Sequence, residues 1–500
     1  MNIHIQLQSI TEVEADVLVV NLFEGVKTPG GATGSVDAAL GGQISALIET
    51  GDFTGKFQEV RTLYPFGKLK AKRVLIVGLG EQVEFNLTRA RSIAAVAARA
   101  VRDFKVNKFA TIVHGAGIGN LPADASAQML VEGTLLGLYR VKTLKVNSTE
   151  HAVQELIIAE QDAAKFDEIQ QGVDRGRAIA EGTNFARDLI NEPANTLTPA
   201  RLAEHATEIA TRHGLGITVL GDDEMRELGM NALLAIGQGS TEPSRLIVMR
   251  YNGNPDSEEV LGLIGKGITF DTGGYTLKPP GSMETMKTDM GGAGAVLGAM
   301  DAIARLKPKA NIVAVIPSAE NMVSGNAVKP GDVVVSMNGK SIEIVNTDAE
   351  GRVVLADAFT YAIRKCGVTK MVDIATLTGA ISVALGRQMC GLFSNDIDFS
   401  AEVKEAFHRT GERVWELPLV EEYRNSYASQ IADMKNAGTR DGGSITAALI
   451  LREFVENTPW VHLDIAGVAR DLDGSSELSP KGATGFGVRT LVELAHMQGK

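Results

Sequence analysis

The stretch Val345–Arg352, with the sequence VNTDAEGR, places two carboxylates and a guanidinium within five positions, directly after an apolar run. Before it, Val333–Ser336 and Ser341–Val345 flank an Asn-Gly pair, a pattern that predicts a β-hairpin. After it, Val353–Cys366 carries apolar residues at helical spacing. The charged residues are therefore expected on a loop between a strand and a helix, where α/β proteins bind their ligands.

A purely structural interpretation of these charges is open as well. Asp348 would cap the following helix, Glu350 would favour its positive end, and Arg352 would pair with either acid. Acidic residues are common at helix starts for these reasons. The stretch alone does not decide between the two interpretations.

A second charged stretch favours the functional interpretation. Leu263–Gly274, with the sequence LIGKGITFDTGG, begins as a buried strand and is expected to deliver Lys266 and Asp271 into a glycine-rich turn. Lys278 follows this turn, and Asp289 precedes a Gly-Gly pair. Two stretches of this character in one chain indicate a site built from both.

Composition limits the classes of protein that this chain can represent. Its 500 residues, 44% hydrophobic and 22% charged, are typical of a globular chain with two or more domains. The formal net charge of −12 argues against a general nucleic-acid surface, which needs clustered Lys and Arg. Nucleic acid is therefore an unlikely partner.

The same data predict where the protein works. Two cysteines, Cys366 and Cys390, cannot form a disulfide framework, which favours a reducing, cytoplasmic location. Met1–Thr11 lacks the basic region and apolar core of a signal peptide. No apolar run approaches the ~20 residues of a membrane span, so we expect no membrane partner.

Alternating strand and helix patterns predict an α/β protein of two domains. In the first part, a strand at Val74–Gly78 is followed by a helix at Thr88–Phe104. The alternation resumes after a long helix expected at about residues 166–190, for example at Val260–Lys266 and Met371–Ala375. The predicted domains are residues 1–165, the smaller, and 166–500, which opens with the long helix.

The candidate site residues of the larger domain are four carboxylates and one amine. Carboxylates that share a pocket raise one another's pKa, and two divalent cations ~3.5–4 Å apart would remove this conflict. Because His462 is expected to be a core residue, oxygen ligands dominate and favour Mn²⁺ or Mg²⁺, with Zn²⁺ as an alternative. Such a centre would polarise a carbonyl or a phosphoryl oxygen, and carboxylate chemistry alone is compatible with a two-metal phosphoesterase. The residues are Lys266, Asp271, Asp289, Asp348 and Glu350.

Three segments of the larger domain resemble the signature of the leucyl aminopeptidase (cytosol aminopeptidase) family, bacterial aminopeptidase A type. They are Gly265–Gly274, Met286–Gly292 and Asn346–Arg352, and the likeness extends to Ala375–Ala380 and His462–Gly467. The resemblance implies a macro-domain-like N-terminal α/β domain and a catalytic α/β domain with a central mixed sheet flanked by helices. It further implies a homo-hexamer and peptide substrates.

Position by position, the resemblance implies two metal sites, for Mn²⁺ or Zn²⁺. A tight site would use Lys266, Asp271, Asp289 and Glu350, and a more exchangeable site would use Asp271, Asp348 and Glu350. Hydroxide bridging the two metals would attack the scissile carbonyl. Lys278 would stabilise the resulting oxyanion, and Arg352 would hold a bicarbonate ion that carries the proton to the leaving amine.

The resemblance also implies a pocket for the first side chain of the peptide. That pocket would be apolar and favour leucine or methionine, although core packing is an alternative role for its methionine. Some bacterial members of the family also bind DNA, so a DNA-binding role is a second alternative to the peptidase. The pocket positions are Met286, Thr376, Leu377, Gly379, Ala466 and Ala469.

Overall fold

The structure is a computed structural model that describes residues 1–117, 119–146 and 151–499. Contacts between residues divide the chain into two compact units. Unit 1 comprises Met1–Ala180 and Gly474–Pro480, and unit 2 comprises Glu181–Asp473 and Lys481–Lys500. The predicted domain boundary at residue 165 directly precedes a helix, Phe166–Asn191, in which the contact-based division falls.

Unit 1 is built on a six-stranded sheet in the order β1-β6-β5-β2-β4-β3, in which only the β3–β4 pair is antiparallel. Alternate residues of β2 enter two apolar clusters: Val17 and Val19 enter one, Leu18 and Val20 the other. Both faces are covered, as expected for a largely parallel sheet. Its strands are β1 (Asn2–Leu7), β2 (Val17–Leu22), β3 (Val60–Leu63), β4 (Arg73–Gly78), β5 (Lys108–Thr111) and β6 (Glu155–Glu160); its helices are α1 (Gly31–Leu40), α2 (Gln43–Thr50), α3 (Leu87–Asp103) and α4 (Ala123–Leu138), and α5 (Phe166–Asn191) continues into unit 2.

Unit 2 contains a larger sheet, flanked by helices, and several short strands. The strands are β7 (Gly216–Leu220), β8 (Arg245–Asn252), β9 (Leu261–Gly265), β10 (Gly267–Asp271), β11 (Asn311–Asn321), β12 (Val333–Val335), β13 (Ser341–Glu343), β14 (Lys370–Ala375), β15 (Cys390–Ser394), β16 (Val414–Glu416), β17 (Met434–Lys435), β18 (Trp460–Asp464), β19 (Arg470–Asp471) and β20 (Gly482–Ala483). The helices are α6 (Pro199–His213), α7 (Asp222–Glu227), α8 (Asn231–Gly237), α9 (Pro280–Met283), α10 (Gly291–Leu306), α11 (Gly351–Cys366), α12 (Gly379–Leu385), α13 (Ile397–Thr410), α14 (Gly443–Arg452) and α15 (Val488–Met497).

The sheet of unit 2 is mixed, as expected. Its order is β16-β15-β18-β14-β9-β11-β8-β7, with β10 paired to β11 beside β9. The central strands β18, β14, β9 and β11 are parallel to their neighbours in this group. Their carboxyl ends therefore lie at one edge, where the loop that leads from β10 to α10 also begins.

Glycine allows α10 to approach this sheet closely. A Cβ on Gly292 would lie 2.0 Å from the carbonyl oxygen of Ile374 in β14, so any side chain would clash with backbone. The amide of Ala293 also donates to the carbonyl of Lys266, at 2.9 Å. The first turn of α10, and Asp289 before it, are thereby held beside the break between β9 and β10.

The predicted elements around the charged stretches can now be compared with the structure. The hairpin of β12 and β13 and the helix α11 are confirmed. The expected glycine-rich turn is confirmed for Asp271, which ends β10 and is followed by Gly273 and Gly274, both with positive φ. The same expectation is wrong for Lys266, because the chain continues directly after it as a second strand, β10.

The structural interpretation of the charges is wrong for Asp348 and Arg352, whereas Glu350 lies at the start of α11, as that interpretation expected. Asp348 does not cap α11, since Glu350 occupies the position before the helix and makes no capping hydrogen bond. Arg352 forms no ion pair with a described residue. The acids of this loop are therefore not accounted for by helix capping.

None of the helices that the structure describes is both long and apolar enough to cross a membrane.

Candidate metal centre

The five candidate ligands reach one cavity from three segments of unit 2. Lys266 lies between β9 and β10, and Asp271 ends β10. Asp289 precedes α10, and Asp348 and Glu350 lie in the loop before α11. All five line a cavity of about 640 Å³. The convergence expected from the two charged stretches is thus present in the structure.

Two lysines each bridge two of the four carboxylates. Lys266 Nζ lies 2.8 Å from Asp289 Oδ2 and 2.7 Å from Glu350 Oε1. Lys278 Nζ lies 2.9 Å from Asp271 Oδ2 and 2.6 Å from Asp348 Oδ1. In this arrangement the lysines balance negative charge that a buried site could not otherwise hold.

Burial sets the electrostatics of the acids and lysines. It raises the pKa of Asp271, Asp289 and Asp348 above the ordinary range for aspartate. For Lys266, burial works against the charged form, yet Asp289 and Glu350 outweigh it and raise the pKa. Lys278 behaves in the same way beside Asp271 and Glu350. Both lysines are therefore protonated at neutral pH in this state.

The donor set fits divalent cations. One oxygen each of Asp271, Asp348 and Glu350 lies within 4.8 Å of the others. Glu350 Oε2 is buried and accepts no hydrogen bond from any described residue, which is a cost that a cation would remove. Carboxylate oxygens suit Mn²⁺ and similar ions. Lys266 would have to lose its proton before it could donate to a metal.

Two asparagines that the sequence did not single out hold the ligand loops in place. Asn321 donates to Asp271 Oδ1 at 2.8 Å and to the carbonyl of Thr347 at 2.9 Å. Asn436 accepts from the amide of Val345 at 2.9 Å and donates to the carbonyl of Asn346 at 2.6 Å. Neither asparagine lies in a recognisable motif, so only their spatial position reveals this role.

Arg352, in the first turn of α11, is also buried. Its Nη1 donates to the carbonyl of Asn436 at 3.1 Å, while its Nε has no hydrogen-bond partner among the described residues. Burial lowers the pKa of Arg352 to about 10, so the guanidinium remains charged at neutral pH. A buried guanidinium with an unused donor that lines the cavity fits a small anion.

The predicted pocket residues line the same cavity: Met286, Thr376, Leu377, Gly379, Ala466 and Ala469. Thr376 also donates to Asp289 Oδ1 at 2.7 Å, which links the pocket to the acids. Behind them, Asp464 accepts from Thr378 Oγ1 at 2.6 Å and from the amide of Leu377. All candidate site residues are therefore brought together, although their individual roles stay predictions.

His462 lies in the core, as expected, and does not line the cavity. Its Nδ1 is 2.7 Å from Asp373 Oδ1, and its ring stacks between Phe393 and Trp460. The imidazole of His462, a residue of β18, is therefore part of the core packing.

Comparison with known proteins decides the family. A family model for the cytosol aminopeptidase family, catalytic domain, matches residues 184–492. A second model, for the N-terminal domain of that family, matches residues 19–148. The chain belongs to the cytosol aminopeptidase family. It is therefore a hydrolase of the metallo-aminopeptidase class, with the two-domain α/β architecture of that family.

Relatives and solved structures cover nearly the whole of this family member. A probable cytosol aminopeptidase of Alkaliphilus oremlandii (strain OhILAs) is 45% identical over 497 residues, covering 99% of each chain. One from Bacillus subtilis (strain 168) is 42% identical over 484 residues, covering 96% of each.

Two solved structures share its fold. A mutant of tomato leucine aminopeptidase has a TM-score of 0.89 and 34% identity, and covers 99% of this chain and 96% of that one. The bottromycin maturation enzyme BotP in complex with Mn has a TM-score of 0.87 and 36% identity, and covers 97% of this chain and 100% of that one. The acidic cluster and the manganese-bound relative together support divalent metal binding.

Proposed function

We propose that this aminopeptidase releases N-terminal amino acids, with leucine and methionine preferred, from peptides at a centre of two divalent metal ions. The observation that supports this most is the convergence of Lys266, Asp271, Asp289, Asp348 and Glu350 on one cavity. Asp271 and Glu350 would contact both ions. Lys266 and Asp289 would complete one site, and Asp348 would complete the other.

The metals, Mn²⁺ or Zn²⁺, would supply polarisation of the scissile carbonyl and an activated water when bound. Lys278 is protonated in the cavity and offers its ammonium group to the carbonyl oxygen as negative charge develops there. Asp289, whose Oδ1 is oriented by Thr376, would accept from the α-amine of the peptide. This requirement for a free amine restricts the enzyme to the first residue.

Arg352 has a separate role in the proposal. Its guanidinium is fixed through Asn436 and keeps an unused donor, which supports a site for bicarbonate. When bound, the anion would supply a base for the proton of the attacking water and an acid that gives this proton to the leaving amine. The apolar members of the pocket, such as Met286, Ala466 and Ala469, would receive the first side chain.

The proposal also includes the setting in which the enzyme acts. We expect a homo-hexamer in the cytoplasm, with peptides as its partners. The DNA-binding alternative is disfavoured by the net charge of −12, and a gel shift at physiological salt should show no retention of DNA. Light scattering of the purified protein tests the hexamer.

Elemental analysis paired with a leucine p-nitroanilide assay tests ligands and reaction together. We expect two metal ions per chain, from Mn²⁺ or Zn²⁺ loading, and release of p-nitroaniline. The two-metal phosphoesterase, which carboxylate chemistry alone allows, is assayed with p-nitrophenyl phosphate in parallel. Phosphatase turnover without amidase turnover would contradict the proposal.

A further inference from the structure

Arg470 stands where two cavities of unit 2 meet. The cavity of the candidate metal centre adjoins a second cavity of about 450 Å³, and Thr288 and Arg470 line both. The second cavity is also lined by Phe270, Lys287 and Lys481. A peptide in the first cavity therefore has Arg470 along its wall and a basic recess beyond it.

The charge of Arg470 is not balanced by the protein. Within the metal-centre cavity, Lys266 and Lys278 are paired with the four carboxylates. Arg470 forms no ion pair with a described residue, and it lies near a second guanidinium, that of Arg387. Partial burial, followed by repulsion from Arg387, lowers the pKa of Arg470. Two neighbouring guanidinium groups that form no ion pair with the described residues favour an anion between or beside them.

Two acids also line the second cavity, and neither removes this imbalance. Glu284 is exposed to solvent. Asp471 accepts a hydrogen bond from the amide of Asp473 at 3.0 Å. The basic groups of the recess, Lys287 and Lys481 with Arg470, outnumber these two acids.

We propose that Arg470 is a specificity-determining residue that binds a carboxylate of the peptide substrate. The proposal rests on the aminopeptidase function proposed above and names a feature of its substrates. The planar guanidinium can take a carboxylate through two parallel hydrogen bonds, which an amide cannot match. Peptides that carry a carboxylate close to the scissile bond are therefore favoured over their amides.

Two carboxylates could reach Arg470. One is the side chain of an acidic first residue, because Ala469, the neighbour of Arg470, lines the pocket predicted for that side chain. The other is the C-terminal carboxylate of a dipeptide. Both present the same chemistry, and matched substrates distinguish them.

The experiment compares acid and amide substrates on the metal-loaded enzyme. For the first source, kcat/KM is measured on the p-nitroanilides of glutamate and glutamine. For the second, it is measured on Leu-Gly and Leu-Gly-amide by release of leucine. The readout is the ratio of kcat/KM for acid over amide in each pair, for wild type, Arg470→Gln, Arg470→Lys and a control, Arg364→Gln. The control variant makes the same change of charge, but Arg364 lies outside both cavities and pairs with Glu456 at 2.7 Å.

Arg470→Gln should lower one of the two ratios about 10–100-fold, the range for loss of a charged hydrogen bond. The ratio for Arg470→Lys should lie between those of Arg470→Gln and wild type, because lysine keeps the positive charge but cannot form two parallel hydrogen bonds to a carboxylate. This variant also serves as the test if Arg470→Gln does not fold. Arg364→Gln should leave both ratios unchanged. A fall in the ratio for the glutamate and glutamine pair would show that Arg470 binds the side chain of an acidic first residue. A fall in the ratio for the Leu-Gly pair would show that it binds the C-terminal carboxylate.

Ratios within twofold of wild type for both pairs would overturn the role of Arg470. Absence of turnover by wild type on all four substrates would instead contradict the proposed function. The two failures are therefore distinguishable.

Discussion

Lys278→Ala removes an ammonium group that lies 2.9 Å from Asp271 Oδ2 and 2.6 Å from Asp348 Oδ1. In the proposed reaction it also removes the donor that meets the developing charge on the carbonyl oxygen. Loss of one such donor costs on the order of 10²–10³ in rate, about 2.7–4 kcal/mol. Because Lys278 is not a proposed metal ligand, metal content should stay the same.

The variant should also be less stable without metal. Breaking a buried ion pair costs about 3–5 kcal/mol, and the lower end applies because the side chain of Lys278 is 16% exposed. Metal ions would replace the lost positive charge beside Asp271 and Asp348. The difference in melting temperature from wild type should therefore shrink when metal is added.

The assay uses steady-state turnover of leucine p-nitroanilide, elemental analysis and thermal melting of the same preparations. Lys329→Ala is the matched control, since Lys329 lies outside the cavity and forms an exposed pair with Asp332 at 3.0 Å. Its turnover should equal that of wild type. A Lys278→Ala enzyme with equal metal content and kcat/KM within about threefold of wild type would refute the oxyanion role. Loss of metal along with activity would show that Lys278 maintains the centre itself.

Three further predictions test the centre and its support. Asp271→Ala should remove metal as well as activity, because Asp271 is proposed to contact both ions; retention of both metals by elemental analysis would contradict this. Burial raises the pKa of Asp357 to about 7, above its value of about 3.9 in the unfolded chain. Because the folded state holds this proton more tightly, the free energy of unfolding of wild type should fall by a few kcal/mol relative to that of Asp357→Asn as the pH rises from about 4 to 7. Urea unfolding at pH 5 and pH 8 checks this, and a constant difference between the two proteins would be the wrong outcome. Gly292→Ala places a Cβ 2.0 Å from the carbonyl of Ile374, so it should lower the free energy of unfolding by about 1–3 kcal/mol or more, whereas Gly281→Ala, with open space around it, should not.

The sequence by itself determined the fold class and the segments that form the site. Strand and helix periods, and the Asn-Gly pair of the β12–β13 hairpin, act over a few residues, so they can be read locally. The resemblance of Gly265–Gly274, Met286–Gly292 and Asn346–Arg352 to the family signature supplied the expected roles of the site residues. All of these features lie in short stretches of neighbouring residues, so the sequence alone reveals them.

The tertiary structure alone decided which charges meet. The register of β9, β10 and β11 and the close approach of α10 at Gly292 pair Lys266 with Asp289 and Glu350. The support by Asn321 and Asn436, and the place of Arg470 between two cavities, follow from the same packing. Contacts between residues far apart in the chain depend on how sheets and helices pack, and no local pattern contains that information.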